Sequence, residues 1–180
     1  NIYLNTSLYP MIDIPSHHKN IMIDVLQPVD SLRKYIQDTL LSLNLEEKLF
    51  DVIHIRSGDS NLKTQQPLFE SIYLSKLEKE IKNINDKTKN YLLISDSNPI
   101  KAYFLSKFKN IVTFESKISH FGEGFKPTEE TTKNNLLDFY LMSKSSSIYA
   151  FSSYPHGSGF SLWCAITYSI PYNCMYVPHN

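Results

Sequence analysis

Apolar residues occur along this chain in short continuous runs that are separated by longer, mixed segments. The runs are four to six residues long and rich in β-branched and aromatic residues, which is typical of strands buried on both faces of a sheet. They lie at 50–55, 91–95, 111–114, 147–151 and 174–177. We therefore predict a short strand at each of these positions.

The segments between the runs follow helical spacing. In 71–84, for example, Leu74, Leu77 and Ile81 recur on one side of a helix. Similar patterns predict helices over 30–43, 98–108, 134–145 and 158–170. Strands that alternate with helices of this length are typical of parallel βαβ units, so the predicted fold class is α/β, with a Rossmann-like, doubly wound parallel sheet.

The first part of the chain has no steady period. Residues 1–28 are predicted to be an irregular segment that could end an upstream domain, with a short strand at 21–26. Residues 29–180 form the predicted Rossmann-like domain. The sequence begins with Asn1 rather than methionine, so the chain could be a fragment or one domain of a longer protein.

Charge and composition exclude some partners. The 180 residues include 18 Lys and Arg against 18 Asp and Glu, so the formal net charge is zero. A general binder of nucleic acids or anionic membranes carries a basic excess, so we predict no nucleic-acid partner, although a small anion site stays possible. We find no apolar stretch long enough to span a bilayer and no signal peptide, so a cytoplasmic location is expected if the chain is complete.

Two polar side chains interrupt the first apolar run. Val52, His54 and Arg56 share one face of the predicted strand, and Arg56 falls at its carboxyl end. Ligands bind outside the carboxyl ends of parallel strands, where an arginine can hold an anion through two parallel hydrogen bonds. The alternative for His54 is a hydrogen-bonded core residue. The alternative for Arg56 is an ion pair with Asp59 or Asp96.

Other polar residues are predicted at the same edge of the sheet. Gly58 allows a tight turn or the close approach of a ligand. Asp59 could orient Arg56, cap the next element or take part in chemistry. Asp96 follows the strand at 91–95 and could hold a sugar hydroxyl or cap the next helix.

Two helices carry further candidate residues. Ser158 and Gly159 lie where the last helix begins, and the free N–H groups and positive dipole end there suit a phosphate. An ordinary serine-capped turn explains the same residues. Asp138 lies in an otherwise apolar helix, where it either binds the edge of a base through ring N–H groups or faces solvent. Periodicity does not decide between these two positions.

Three stretches, taken in order, carry a resemblance to a known family. VIHIRSGD resembles the His-x-Arg-x-Gly-Asp signature of the fucosyltransferases that use GDP-fucose, in the α1,2, α1,6 and protein O-fucosyl groups. YLLISDSNPIKAYFLSKF resembles their strand ending in Ser/Thr-Asp before a helix. NNLLDFYLMSKSSSIYAFSSYPHGSGFSLWCAI resembles their Asp-bearing helix, short strand and Ser-x-Phe-Ser at a helix start. The similarity runs from about Leu26 to Val177.

The resemblance implies the donor-binding half of a two-domain, GT-B-like glycosyltransferase, with an upstream domain for a glycan or other hydroxyl acceptor. It implies inverting transfer from a GDP-sugar, with GDP-fucose favoured, and no metal or other cofactor. By position, Arg56 would hold the β-phosphate and stabilise its developing charge, His54 would help to position the nucleotide, and Asp138 would contact the guanine. The remaining implied donor-binding residues are Gly58, Asp96, Ser158, Gly159, Phe160 and Ser161, of which the last four would bind the diphosphate.

The chain departs from the family pattern in two places. Ser57 stands where the family often has a second adjacent arginine, which predicts weaker phosphate binding. Lys63 and Glu70 are shifted from the lysine and glutamate that the α1,6 group carries after the motif. Asp59 and Glu70 are therefore the candidates for the general base. The alternative function is a catalytically inactive nucleotide-sugar-binding or interaction domain of the same fold.

Overall fold

The computed structural model describes residues 14–58, 71–114 and 128–179 of the chain. The helices in these ranges are α1 (Ser16–Val25), α2 (Asp30–Ser42), α3 (Ser71–Ile84), α4 (Asn98–Lys107), α5 (Glu129–Ser143) and α6 (Gly159–Tyr168). The strands are β1 (Phe50–Arg56), β2 (Asn90–Ser95), β3 (Ile111–Val112), β4 (Ser147–Ser152) and β5 (Tyr172–Tyr176). None of the helices in these ranges is long and apolar enough to cross a membrane.

All neighbouring strands of the sheet are parallel, in the order β3-β2-β1-β4-β5. The chain moves outward from β1 to β3, returns to the centre and continues through β4 to β5 on the other side. This order confirms the predicted fold class, an α/β fold with a Rossmann-like, doubly wound sheet. The direction of winding reverses between β1 and β4, and in such sheets the ligand crevice opens at the carboxyl ends of the strands beside the reversal.

The side chains of the central strands alternate between two cores. Val52 and Leu92 pack in the core with α2, α5 and α6, whereas Ile53 and Leu93 pack in the core with α3 and α4. All four side chains are fully buried, as the period of two requires for strands that are covered on both faces. His54 therefore lies on the same face as Val52, toward α2, α5 and α6.

Helix α1 differs from the sequence prediction. It occupies part of the segment 1–28 that was predicted to be irregular, and it includes most of the strand predicted at 21–26. The apolar run at 21–26 imitates a buried strand, but α1 buries none of its residues and packs against α6. A helix without a buried stripe gives little periodic signal in a sequence.

Helix α5 begins earlier than the predicted start at residue 134. Its first residue is Glu129, because Thr128 and Thr131 form a reciprocal capping box there. The usual sequence signature of this motif has Glu or Gln as its last member. Threonine in that position therefore hid the helix start from sequence analysis.

Candidate functional site

Arg56 and Asp96 lie side by side at the carboxyl edge of the sheet. Ile55 pairs with Ser95 in the register of β1 and β2, so the next residues of the two strands are neighbours. The Arg56 Nη1 atom lies 3.0 Å from the Asp96 Oδ2 atom, and the side chains are 15% and 9% exposed. The ion pair that was one alternative for Arg56 is therefore present, with Asp96 as its partner. Asp59, the other possible partner, lies outside the described residues.

Asp96 also anchors the turn that follows β1. Its carboxylate accepts hydrogen bonds from the Ser57 N–H at 2.9 Å, the Ser57 hydroxyl at 2.7 Å and the Gly58 N–H at 3.3 Å. The helix that follows is capped by Ser97, which accepts a hydrogen bond from the backbone of α4, so the prediction of Asp96 as a cap is wrong. A guanidinium presents N–H donors in a planar fork that suits a carboxylate or a phosphate, and Asp96 fixes the orientation of this fork.

The end of the chain closes this turn from the other side. The His179 Nε2 atom lies 2.6 Å from the Ser57 carbonyl oxygen, and its ring packs on Tyr73 with 4.2 Å between centroids. The Ser153 hydroxyl donates to the same Ser57 oxygen at 3.1 Å. The sequence analysis did not identify His179, since nothing in the local pattern connects the chain end to β1.

The backbone of Gly58 requires glycine. Its φ is +105°, and a Cβ there would lie 2.9 Å from the Ser153 Oγ atom. We expect Gly58→Ala to lower the free energy of unfolding by about 1–3 kcal/mol, because it combines backbone strain with a steric clash. Urea unfolding measures this loss. The double variant Gly58→Ala/Ser153→Ala should recover the part that is due to the clash, and a single variant as stable as the wild type would contradict the strain.

His54 is held in the core next to the start of α6. Its Nδ1 atom lies 2.9 Å from the Ser161 Oγ atom, which is also 3.3 Å from the Tyr172 hydroxyl. Burial lowers the pKa of His54 to about 4; the charge of Asp96 opposes this effect and that of Arg56 adds to it. The imidazole is therefore neutral near pH 7, as expected for the hydrogen-bonded core histidine that was one alternative. It can still fix the first turn of α6 through Ser161.

The N-terminus of α6 is available for an anion. Ser158 occupies the N-cap position, but its side chain makes no capping hydrogen bond, so the ordinary serine cap is not formed. The first turn contains no acidic residue. Gly159 is partly exposed, Phe160 is exposed and Ser161 is buried against His54. Backbone N–H groups at such an end carry partial positive charge and suit a phosphate oxygen.

Asp138 on α5 and Lys101 on α4 are two further charged residues that interact electrostatically. The Asp138 Oδ1 atom is buried and has no hydrogen-bond partner among the described residues. Burial raises the pKa of the Asp138 carboxyl to about 7, and the charge of Lys101 partly offsets this effect. Lys101 is only 3% exposed, and its Nζ atom lies 3.5 Å from the Phe114 carbonyl oxygen. Asp138 as a residue is partly exposed although its Oδ1 atom is buried, so contact with a base and exposure to solvent both stay predictions.

A cavity of about 680 Å³ lies between α4, α5 and the chain that follows β3. We call it the α4–α5 cavity; Lys101, Phe114 and Asn134 are among the residues that line it. Asp138 lies one helical turn beyond Asn134 on α5. The volume falls in the range of about 300–1,000 Å³ that is usual for sites of small molecules. Asn98, the first residue of α4, also lines the cavity, and Asp96 lies two residues before it in the chain.

Sequence analysis missed Lys101, although a signal was present. Lys101 is the one charged residue before the last turn of an otherwise largely apolar helix, and a buried lysine needs a partner. Comparison with protein-family models finds no match to this chain, and comparison with curated proteins finds none either. The functional assignment therefore depends on the residues at the carboxyl edge of the sheet.

Proposed function

We propose that this chain is the donor-binding half of a GT-B-like glycosyltransferase that uses a GDP-sugar, with GDP-fucose favoured. The observation that carries the proposal is Arg56, oriented by Asp96 at the carboxyl end of β1, on the strand whose His54 contacts Ser161 in the first turn of α6. A diphosphate between them would meet one fixed cation and several backbone N–H groups. The three stretches that resemble the fucosyltransferases contain these same residues.

The mechanism is electrostatic. As the sugar leaves, negative charge develops on the GDP, and Arg56 together with the first turn of α6 stabilises it. His54 is the positioning residue for that turn, because it holds Ser161. Asp138 accepts hydrogen bonds from the guanine ring. The sugar passes with inversion to a hydroxyl of a glycan or similar acceptor, and Asp59 is the proposed general base.

Titration calorimetry tests the proposal with GDP, GDP-fucose and UDP, each in EDTA and in Mg²⁺. We expect GDP to bind in EDTA, GDP-fucose to compete for the same site and UDP to bind more weakly. Binding that needs Mg²⁺ would contradict the metal-independent mechanism. If GDP binds under neither condition, the proposal is wrong.

A catalytically inactive nucleotide-sugar-binding domain is the second candidate. Its supporting observation is that Arg56 is already paired with Asp96, while Ser57, in place of a second arginine, donates to the same carboxylate. The site therefore offers less positive charge than the family pattern implies. Release of GDP from GDP-fucose in the presence of glycan acceptors, measured on a chain that includes any upstream acceptor domain, distinguishes the two: binding without release favours the inactive domain.

A further inference from the structure

We propose that β5 is a self-association surface, on which two copies of this chain pair their β5 strands in antiparallel orientation with Met175 on the twofold axis. The surface lies at a lateral edge of the sheet and contains none of the proposed donor-binding residues. The inference therefore goes beyond the proposed function and does not depend on it.

The two lateral edges of the sheet differ. The edge strand β3 is only two residues long, and its Ile111 is buried. The opposite edge strand, β5, has five residues, and among the described residues it pairs with β4 alone. All residues of 173–176 are exposed. An open edge of this length presents a row of backbone N–H and C=O groups to another strand.

The sequence of β5, YNCMY, carries none of the features that usually protect an edge strand. It has no charged residue and no proline, and its pairing with β4 is continuous, without a bulge. Met175 and Tyr176 are 37% and 49% exposed, so apolar side chains lie in solvent on both faces of the strand. Natural proteins use charges, prolines and bulges to prevent edge-to-edge pairing, so their absence from β5 favours pairing.

The hydrogen bonds between β4 and β5 fix the direction of the backbone groups. The Ile148 N–H donates to the Pro171 carbonyl oxygen at 2.9 Å, and the Val177 N–H donates to the Ser152 carbonyl oxygen at 2.8 Å. Alternate residues of a strand direct both of their backbone groups to the same side. Because residues 171 and 177 bond to β4, the odd-numbered residues of β5 face β4 and its even-numbered residues face away from it.

Cys174 and Tyr176 are the outward-facing residues of the exposed stretch. Their backbone N–H and C=O groups make no hydrogen bond to the described part of the chain. In an antiparallel pair of strands, two opposed residues can exchange both hydrogen bonds. Cys174 opposite Tyr176 of the second copy does this, and the twofold axis repeats the pair, so each of these groups gains a partner. Met175 then lies opposite its own copy.

A second copy is the partner that this geometry fits. A twofold axis perpendicular to the sheet places one residue opposite itself, and Met175, midway between the two bonded pairs, occupies that position. The contact between the two methionine side chains is apolar. The chain has a formal net charge of zero, so two copies do not repel each other through net charge. The result is a closed dimer with one sheet running through both copies.

Sedimentation equilibrium tests the dimer at chain concentrations from about 1 to 300 μM, a range that covers weak interfaces. We expect the wild type to dimerise as the concentration rises. Met175→Lys should weaken the dimer about tenfold or more, because it sets two ammonium groups against each other at the twofold axis. The matched control is Leu41→Lys, at an apolar position of α2 that is 74% exposed, and it should leave the dimer unchanged.

Disulfide cross-linking with copper phenanthroline tests the register on the double variants Met175→Cys/Cys174→Ser and Asn173→Cys/Cys174→Ser. Residue 175 and its copy form a pair without mutual hydrogen bonds, so their Cα atoms should be about 4.5 Å apart, within the range of a disulfide. Residue 173 and its copy should be about 14 Å apart along the strand. We therefore expect rapid cross-linking of the first variant and little of the second. Cys164 is buried and does not interfere.

A wild type that stays monomeric over the whole concentration range overturns the inference, and so does a Met175→Lys variant that dimerises like the wild type. Circular dichroism shows whether this variant is folded; if it is not, cross-linking decides. Equal cross-linking of the two cysteine variants, or cross-linking of the second alone, places another residue on the axis and also overturns the inference. GDP binding is measured separately, so failure of the dimer leaves the proposed function standing.

Discussion

Replacing Arg56 by alanine is expected to weaken GDP binding by about a hundredfold or more, since the site loses the guanidinium that is proposed to hold the diphosphate. Asp96 keeps its hydrogen bonds from the Ser57 and Gly58 backbone, so the turn should persist and the fold should survive. Calorimetry with GDP in EDTA measures the loss. Arg56→Lys should recover only part of the affinity, because an ammonium keeps the charge but lacks the planar fork.

The chain offers a matched control in Arg33, which lies on α2 with its side chain more than half exposed. Arg33→Ala should bind GDP like the wild type. If Arg56→Ala also binds GDP like the wild type but unfolds at lower urea concentration, Arg56 is only the structural partner of Asp96. Asp96→Asn should then also lower the stability, since it removes the same ion pair and weakens the turn, without any loss of affinity. The two roles of Arg56 are therefore separable by experiment.

Sequence periodicity predicted the strands well because each central strand is buried on both faces, which leaves an uninterrupted apolar run. The same period placed Val52, His54 and Arg56 on one face. It did not choose between Asp59 and Asp96 as the partner of Arg56, because the Arg56–Asp96 contact depends on which strands are neighbours and in which register. It also did not show that the Asp138 Oδ1 atom is buried or that Lys101 acts on it, because Lys101 lies on another helix. The resemblance to the fucosyltransferases stays a prediction.

The titrations of His54 and Asp138 change the stability of the fold with pH in opposite directions. Burial lowers the pKa of His54 to about 4, so its contribution to stability is present above pH 6.5 and is lost as the pH falls. Burial raises the pKa of Asp138 to about 7, so the unfolded chain releases this proton first. Stability from Asp138 is therefore lost as the pH rises from about 4 to about 7. Above pH 7 both contributions are constant.

Asp138→Asn is expected to stabilise the fold while weakening GDP binding. At pH 8 the wild type carries an ionised carboxylate whose buried Oδ1 atom has no hydrogen-bond partner among the described residues, and the amide removes the charge. The free energy of unfolding should rise by on the order of a few kcal/mol, as measured by urea unfolding at pH 8. GDP affinity should fall about tenfold or more, because an amide can no longer accept both guanine N–H bonds as a charged group.

The pH dependence of GDP affinity distinguishes the loss of the Asp138 charge from a general change in packing. In the wild type, GDP affinity should increase as Asp138 ionises and level off above about pH 7, whereas Asp138→Asn should show no such increase. Asp24→Asn, at an exposed aspartate of α1, should change neither property. If Asp138→Asn is less stable than the wild type at pH 8, the carboxylate has a partner that compensates its burial. A carboxylate that costs stability and yet is required for binding is the pattern expected of a functional residue, because selection for binding alone would keep it in place.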